Sequence, residues 1–503
     1  MIDERMNGGA RARTVQDYID MVPTWPDGTP VGSTPMTGMQ WLIWSLAAAG
    51  KFFEGLVVFM TGIALPLIAR QFHLDAGQGG IVSAATLFGI LIGAVSLGGL
   101  SDVFGRKRMF VVEMVIFMVF LAILTVVPGF WPLVICLFCT GVALGCDYPT
   151  AHMIISESTP SARRGQLVIA AFAFQAVGAL AGTGVGWLVL QANPSLEAWH
   201  WMFATALLPG LVVTVWRFYI TESASWLFVR GHHERAQDMA HRLLRRTPRF
   251  PKEIKLERAD AHSEKLNYAA LFNKQNLRAT ILASVPWFLQ DLSTYGIGIF
   301  TPTLLAAAFG GGPDHIRSTS DIIAKDILAA KGSALITSML LVGISFAVIL
   351  ADRVGRIKLQ IFGFIGCAVG LLIASCSVYA DGFGKIFLIF MGVMFFNFMT
   401  DLGPNAQTYL LAGEVFPTAI RGSGAGFAAA FAKVGAVLTA FMFPILLKGI
   451  GQQMLLLILV VTSLLGAWVT WAYRIETTGV NLDTIGRESA VGEGSGQPVA
   501  VPS

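Results

Sequence analysis

The sequence predicts an all-α membrane protein with twelve transmembrane helices in two six-helix pseudo-repeat bundles. Hydrophobic residues make up 54% of the 503 residues and charged residues only 13%, whereas an ordinary soluble domain carries about 25% charged residues. The apolar runs are long and unbroken, unlike the short alternating strands of a membrane barrel. Two loop sequences also occur twice, at corresponding places in the two halves of the chain. A soluble enzyme is therefore excluded.

The individual spans follow from the apolar runs, because about 20 apolar residues are enough for a helix to cross a bilayer. Lys and Arg residues are concentrated in alternate connections, which is typical of loops on the cytoplasmic side. The protein is therefore expected in the cell (inner) membrane with both termini cytoplasmic. The predicted spans are 40–66, 78–100, 109–128, 131–155, 166–191, 199–219, 277–308, 333–351, 359–379, 384–412, 423–447 and 450–473.

Charge and composition divide the chain into five parts. A polar tail precedes the first span, and a basic loop separates the first six spans from the last six. The end of the chain, rich in Gly, Ser, Val and Glu, is typical of disorder. The parts are the cytoplasmic tail 1–38, the N-terminal bundle 39–219, the cytoplasmic central loop 220–276, the C-terminal bundle 277–474 and the disordered tail 475–503.

The repeated sequences lie in loops and predict a gate. One repeat, with an Asp, a Gly and basic residues, occurs at 99–107 and 351–358, and the other, E-x-x-P-[ST]-A-x-R-G, at 157–165 and 414–422. A simple positively charged turn explains the basic residues, but not an Asp and a Gly at the same spacing twice. Duplicated bundles in transporters enclose a substrate site near mid-membrane. The predicted gating residues are Asp102, Arg106, Glu157 and Arg164 in the first half and Asp352, Arg356, Glu414 and Arg421 in the second.

Polar side chains inside the spans mark a candidate site near the middle of the membrane, since burying an unneeded charge there is costly. With a rise of about 1.5 Å per residue, five helices carry such groups at a depth of about 15 Å, and Glu54 and Asp291 lie at about 21 Å. Trp287, Asp291 and Tyr295 follow at i, i+4 and i+8 and so share one helix face. The groups at the shallower depth are Asp147, Gln175, Trp287, Asn405 and Lys433.

Simpler interpretations of single residues remain open. Gln175 or Asn405 alone could serve to hold helices together, and Lys51 and Glu113 are expected to snorkel or to pair locally. Because several helix faces converge, acids and one Lys at this depth favour an anion held by Lys433, with a carboxylate taking up a coupled proton. No nucleotide-binding G-x-x-x-x-G-K-[ST] sequence occurs, so ATP is not expected to drive transport.

The repeated loops, together with Glu222-Ser223-Ala224-Ser225-Trp226-Leu227 after the sixth span, resemble those of the major facilitator superfamily in its sugar-porter-like branch. The resemblance runs from about residue 45 to residue 473. Four segments resemble signatures of the phosphate:proton symporter family within it. They are Gly145-Cys146-Asp147-Tyr148-Pro149, Trp287-Phe288-Leu289-Gln290-Asp291 with Tyr295-Gly296, Gly403-Pro404-Asn405, and Ala432-Lys433-Val434-Gly435-Ala436.

The resemblance implies the roles of the polar residues. Asp147 and Lys433 correspond to charged neighbours of the substrate, and Lys433 is expected to bind it. Glu54, Asp147 and Asp291 are the candidates for proton coupling. The implied phosphate contacts are Tyr148, Gln175, Trp287, Asp291, Tyr295 and Asn405.

The sequence also departs from the family at four positions. Cys146 and Ala432 replace glycines, and Glu54 replaces an Asp. Asp401 stands where the family has an Asn. An added acid opposes an anionic substrate, so small carboxylates stay open beside phosphate.

Together these observations predict a proton-coupled secondary active transporter that imports a small anion, with inorganic phosphate as the first candidate. The alternatives are a proton symporter of a small aromatic or aliphatic carboxylate or of a sugar, and a non-transporting nutrient sensor. A membrane enzyme is not expected, since neither H-E-x-x-H nor G-x-S-x-G occurs. The expected partners are the substrate, a proton and the lipid bilayer, with no nucleic acid, cofactor or metal, and the protein is expected to be a monomer.

Overall fold

Helices make up the fold in the part of the chain that the structure describes. The computed structural model describes residues 14–21, 36–96, 100–245, 254, 256, 268–309, 319–417 and 420–477. In chain order the helices are α1 (Val15–Asp20), α2 (Gly38–Gln71), α3 (Ala76–Ser96), α4 (Leu100–Phe104), α5 (Arg106–Leu124), α6 (Phe130–Ser158), α7 (Arg164–Phe172), α8 (Phe174–Ala192), α9 (Ala198–Thr205), α10 (Leu207–Arg217), α11 (Ala224–Val229), α12 (His233–Leu243), α13 (Lys274–Phe309), α14 (Thr319–Val354), α15 (Arg356–Ser375), α16 (Gly382–Leu402), α17 (Pro404–Glu414) and α18 (Arg421–Ala472).

Nine helical segments in these ranges are long and apolar enough to cross a membrane. One of them, α18, bends at Gly451, where φ is 79°, and contains two of the predicted spans. Helices α5 and α13 cover two further predicted spans. Helix α14 begins at Thr319, well before the predicted start of its span at residue 333. The predicted all-α fold with twelve membrane helices is confirmed.

One span is broken close to a predicted substrate contact. Gly403, with φ −116° and ψ −94°, separates α16 from α17, and Pro404 is tolerated at the first position of α17 because no helical carbonyl would bond its missing N–H. Asn405 follows two residues after this break. Ala173, between α7 and α8 and two residues before Gln175, keeps helical φ and ψ of −58° and −20°. Broken helices are typical of transporter binding sites.

One face of the bundle carries the ends of the described chain, and we call it the terminal face. In the first half, Gln16 Nε2 in α1 donates to Ser161 Oγ at 3.0 Å. In the second half, Arg278 Nη2 at the start of α13 donates to the carbonyl oxygen of Arg474 at 2.7 Å. Helix α7 of the first half packs against α14 and α17 of the second, so both halves share this face.

Much of the predicted tails and central loop lies outside the described residues. Only α1 and the residues next to α2 are described in the tail 1–38, and only residues 475–477 in the tail 475–503. Helices α11 and α12 belong to the central loop 220–276. The five-part division of the chain and the disorder of its last part stay predictions.

The two halves touch on both sides of the middle of the bundle. One contact lies on the side of the middle that is farther from the terminal face. There, Gly62 of α2 lies so close to the Ile299 carbonyl of α13 that an added Cβ would collide with it. Toward the terminal face, the rings of Phe172 and Tyr409 stack across the halves with centroids 4.4 Å apart. The two halves are therefore in contact on both sides of the middle of the bundle.

Candidate substrate and proton site

A network of charged and polar side chains lies between the two halves, and we call it the central cluster. Lys433 Nζ on α18 donates to Tyr295 Oη at 2.7 Å and to Asp291 Oδ2 at 3.3 Å, both on α13. The same Nζ lies 3.6 Å from Glu54 Oε1 on α2, in the other half. The members of the central cluster are Lys51, Glu54, Gln175, Asp291, Tyr295 and Lys433.

Glu54 connects the rest of the central cluster. Its Oε2 accepts a hydrogen bond from Lys51 Nζ at 2.7 Å, one helical turn earlier on α2. Its Oε1 accepts bonds from Gln175 Nε2 at 3.2 Å and from Tyr295 Oη at 3.3 Å. Gln175 Nε2 also donates to Tyr295 Oη at 2.9 Å. Glu54 thus joins α2 and α8 of the first half to α13 of the second.

The charges of the central cluster balance one another. Lys51 and Lys433 supply two positive charges, and Glu54 and Asp291 supply two negative ones. All four side chains are buried, and Glu54 and Asp291 are only 2% exposed. Buried charges are tolerated when they are paired and hydrogen-bonded. The sequence predicts Lys433 as the single cation at this depth, but Lys51, paired locally with Glu54, is a second one.

Aromatic rings separate the central cluster from the terminal face. Trp287 is 3% exposed and meets Tyr409 edge to face, with ring centroids 6.0 Å apart. Tyr409 in turn stacks on Phe172 of the first half. Trp287, predicted as a substrate contact, therefore packs in the wall on the terminal side of the site.

A small cavity adjoins the central cluster. Its volume is about 20 Å³, which holds about one water molecule. Gln175 and Tyr295 line it together with Asp401 and Asn405, and Asn405 Nδ2 donates to Asp401 Oδ1 at 2.5 Å. The structure thus brings Gln175, Asn405 and Tyr295, predicted from three different spans, around one space about the size of a water molecule.

Asp147 belongs to a second buried cluster, inside the first half. Its Oδ1 lies 2.6 Å from Arg217 Nη2, at the end of α10. Arg217 Nη1 lies 3.0 Å from Glu113 Oε1 and also donates to the Phe110 carbonyl at 2.6 Å. Arg217 is fully buried, with its guanidinium 3.5 Å from the centroid of the Phe110 ring. The prediction that Glu113 pairs locally is wrong, since its partner lies 104 residues further along the chain.

Arg217 is not among the predicted site residues, although the sequence contains a signal for it. It interrupts the apolar run at the end of the sixth span, and two acids in the third and fourth spans had no assigned cation. Buried acids need a partner. A comparison of the buried acids and cations within the first half therefore points to Arg217 as the partner of Glu113 and Asp147.

We expect Arg217→Leu to destabilise the protein by about 3–5 kcal/mol, because it leaves Glu113 and Asp147 buried without their cation. Thermal and chemical unfolding in detergent measure the effect. Adding Glu113→Gln and Asp147→Asn should recover most of the loss, since no buried charge then remains in this cluster. Arg235→Leu on the exposed surface of α12 is the matched control and should leave stability nearly unchanged. A marginal effect of Arg217→Leu would contradict the pairing.

The repeated loops form equivalent ion pairs in the two halves. Arg106 Nη2 lies 3.2 Å from Glu157 Oε1, and Arg356 Nε lies 2.9 Å from Glu414 Oε2. Arg164 contacts Ser161 instead, with Nη2 at 3.5 Å from its Oγ. Four of the eight predicted gating residues thus form ion pairs, at equivalent positions of the two halves. The side chains of Tyr148, Asp102, Asp352 and Arg421 lie outside the described part of the structure.

The residue that precedes the helix after each of these loops has the same unusual backbone conformation. Gly105 precedes α5 with φ 102° and ψ 150°, and Gly355 precedes α15 with φ 97° and ψ 148°. This positive φ favours glycine. In each half, a carboxylate accepts a hydrogen bond from a backbone N–H at the start of the helix. In the first half, Glu222 accepts from the backbone N–H of Lys107 at 2.9 Å.

In the second half, Glu476 accepts from the backbone N–H of Arg356 at 3.1 Å. A carboxylate at a helix N-terminus is favourable because N–H groups and the helix dipole face it. Glu476 lies in the predicted C-terminal tail 475–503, so this contact is not among the predictions. The signal was a third repeat, Y-x-x-E-[ST], at residues 219–223 and 473–477.

Comparison with known proteins places the chain in a family. A family model described as Sugar (and other) transporter matches residues 43–488. The chain is 26% identical over 464 residues to the inner membrane metabolite transport protein YgcS of Escherichia coli strain K12, covering 92% of this chain and 97% of that protein. It is also 26% identical over 495 residues to the Arabidopsis thaliana protein named probable inorganic phosphate transporter 1-6, covering 88% and 93%.

A solved structure shows the same fold. The partially occluded inward open conformation of the xylose transporter XylE from Escherichia coli matches with a TM-score of 0.69 at 20% identity, covering 88% of this chain and all of that one. These relatives are transporters, so the prediction that the chain is not an enzyme is confirmed. The chain is a multi-pass membrane protein that belongs to the sugar (and other) transporter family of the major facilitator superfamily.

Proposed function

We propose that the protein is a proton-coupled symporter that imports a small anion, with inorganic phosphate as the first candidate. The observation that carries this proposal is the central cluster, in which two lysines and two carboxylates meet between the halves. The similarity to a named phosphate transporter supports phosphate. We also propose that the terminal face is cytoplasmic, as the basic loops indicate.

The balance of charges in the central cluster couples the anion to the proton. When Glu54 and Asp291 are ionised, they occupy both lysines, so an added anion would be an uncompensated buried charge. A proton on Asp291 removes one negative charge and releases Lys433 Nζ from its bond at 3.3 Å. The anion can then take the place of the Asp291 carboxylate beside Lys433, and Gln175 and Tyr295 are close enough to donate to it. Anion and proton thus enter the site together.

The ion pairs at the loops serve as the gate in this proposal. Arg356 and Glu414 join the start of α15 to the end of α17, and their side chains are 11% and 17% exposed. Pairs this buried are stronger than pairs on the surface. Both partners lie in the second half, so the pair does not bridge the halves but fixes the ends of α15 and α17 relative to each other. In this proposal these helix ends shift when the terminal face opens, and the pair stabilises the closed arrangement.

We expect Glu414→Gln to slow exchange at saturating substrate by about fivefold or more, because it biases the equilibrium between the closed and open terminal face. Equilibrium binding should change little, since the pair lies away from the cavity. Exchange and binding are measured on the same reconstituted preparation. Glu234→Gln, on the exposed surface of α12, is the control. Lost binding with an unchanged exchange rate would show that Glu414 does not act in gating.

The function itself is tested by uptake into proteoliposomes with an imposed pH gradient. The labelled candidates are phosphate, an aliphatic carboxylate, an aromatic carboxylate, glucose and xylose. We expect phosphate to accumulate inside when the outside is acidic, and a protonophore to abolish the accumulation. Accumulation of a sugar alone would replace the anion assignment with the sugar alternative. Binding without any uptake would favour the nutrient sensor.

A further inference from the structure

A second and larger cavity lies in the second half, at the end of the bundle opposite the terminal face. Helix α15 starts in the repeated loop at 351–358, and the short 3₁₀ helix Cys376–Tyr379 follows its other end. Helix α18 starts in the repeated loop at 414–422 and ends next to Arg474, so its bend at Gly451 lies away from the terminal face. Residues of both turns line the cavity, whose volume is about 570 Å³. Ligand sites have volumes of about 300–1,000 Å³.

Exposed aromatic side chains adjoin the residues that line this cavity. Tyr379 is 82% exposed and accepts a hydrogen bond from Gln453 Nε2 at 3.1 Å. Phe383 is 81% exposed and lies two residues before Lys385. Aromatic residues at the ends of membrane spans are typical of the level of the lipid headgroups. The cavity therefore lies at the headgroup level of the leaflet opposite the terminal face.

One side of the cavity carries a cation and hydrogen-bond donors. Lys385 is the single charged residue among the described residues that line it, and Ser377 lines it as well. Gln452 Nε2 is buried and has no hydrogen-bond partner within the described ranges. The second segment of α18 begins at Gln452, because Gly451 has non-helical φ and ψ of 79° and 168°. The start of a helix favours an anion, since its first N–H groups have no helical carbonyl to bond.

The rest of the lining is mostly apolar, and this selects the kind of anion. A phosphate group accepts charge-assisted hydrogen bonds from a lysine and neighbouring donors, and basic pockets between membrane helices bind lipid headgroups. A water-soluble anion would leave the apolar side chains without a partner, whereas the acyl chains of a lipid would cover them. The apolar lining residues are Ala374, Val378, Ile450, Met454, Leu456 and Leu457.

We infer that this cavity binds an anionic phospholipid of the surrounding leaflet through its phosphate group, with Lys385 as the cation. No Asp or Glu is among the described residues that line the cavity, so a cationic headgroup would find no counter-charge there. A headgroup with hydroxyls and no amine, such as that of phosphatidylglycerol, fits the donors and the lysine. The inference goes beyond the proposed function and does not depend on it, because it uses no residue of the central cluster.

Titration with short-chain lipids, followed by native mass spectrometry of the full-length protein in detergent, tests this inference. Dioctanoyl phosphatidylglycerol is compared with dioctanoyl phosphatidylcholine, which has the same chains and phosphate but a cationic headgroup. We expect the wild type to bind one molecule of phosphatidylglycerol about tenfold or more tightly than phosphatidylcholine, the ratio that one hydrogen bond to a charged group supports. Lys385→Gln should bring the ratio close to one.

Lys448→Gln is the matched control, because Lys448 is an exposed lysine at the same end of α18 that does not line the cavity. It should keep the wild-type preference. The inference is overturned if the wild type shows no preference, if Lys385→Gln keeps it, or if Lys448→Gln loses it to the same extent. Displacement of the lipid by an equal concentration of glycerol phosphate would assign the site to a soluble phosphate ester instead.

A second variant tests the cavity without changing its charge. Ser377→Phe places a ring in the space that the headgroup would occupy, so it should abolish tight binding of phosphatidylglycerol. If Lys385→Gln does not fold, this variant and the wild-type preference decide. Unchanged binding by Ser377→Phe would show that the lipid binds elsewhere on the protein and would overturn the inference.

Discussion

Asp291→Asn is expected to reduce concentrative uptake to the level of empty liposomes while exchange of substrate across the membrane continues. An amide keeps the shape of the side chain but cannot ionise. It therefore mimics the protonated state permanently, leaves Lys433 free for the anion, and removes the need for a proton. The transporter should still carry substrate, but it should no longer draw on the pH gradient.

Two assays on the same vesicles separate these outcomes. Uptake driven by an imposed pH gradient reports coupling, and counterflow at equal pH reports exchange. Asp326→Asn makes the same chemical change at a buried acid outside the central cluster, and it should behave as wild type in both assays. Full accumulation by Asp291→Asn would remove Asp291 from the proton path and leave Glu54 or Asp147 to carry the proton.

Lys433→Gln is expected to have the second large effect, and it should act on both binding and stability. Loss of the ammonium group removes the attraction for the anion, so the apparent substrate constant should rise about tenfold or more. The same change leaves Asp291 and Glu54 with only Lys51 as a cation, which should cost about 3–5 kcal/mol of folding stability. Substrate titration and unfolding of the ligand-free protein measure the two effects independently.

The double variants identify the acid that Lys433 balances. Lys433→Gln with Asp291→Asn should recover most of the stability, since one uncompensated carboxylate is removed together with the lysine. Lys433→Gln with Asp401→Asn should not, because the lysine contacts Asp291 and Glu54 and not Asp401. Neither double variant should regain wild-type affinity. Restored transport by a variant without the Lys433 charge would refute its role in anion binding and favour a neutral substrate.

The sequence by itself determined the membrane fold and its duplication, and it showed that polar side chains interrupt the spans near mid-membrane. These properties depend on local composition, because a bilayer requires each span to be apolar along its length and makes each buried charge conspicuous. The loop repeats likewise predicted which helix ends are equivalent, and the pairs Arg106–Glu157 and Arg356–Glu414 have the expected symmetry.

Only the tertiary structure decided which of these groups meet. Depth along a helix is readable from residue number, but the direction of a side chain depends on how each helix is rotated and packed, since a helix turns fully in about 3.6 residues. Asp147 and Lys433 have similar depths, yet Asp147 pairs with Arg217 inside one half. Lys433 instead joins Asp291 to Glu54 across the halves, which is the contact on which the proposed coupling of anion and proton depends.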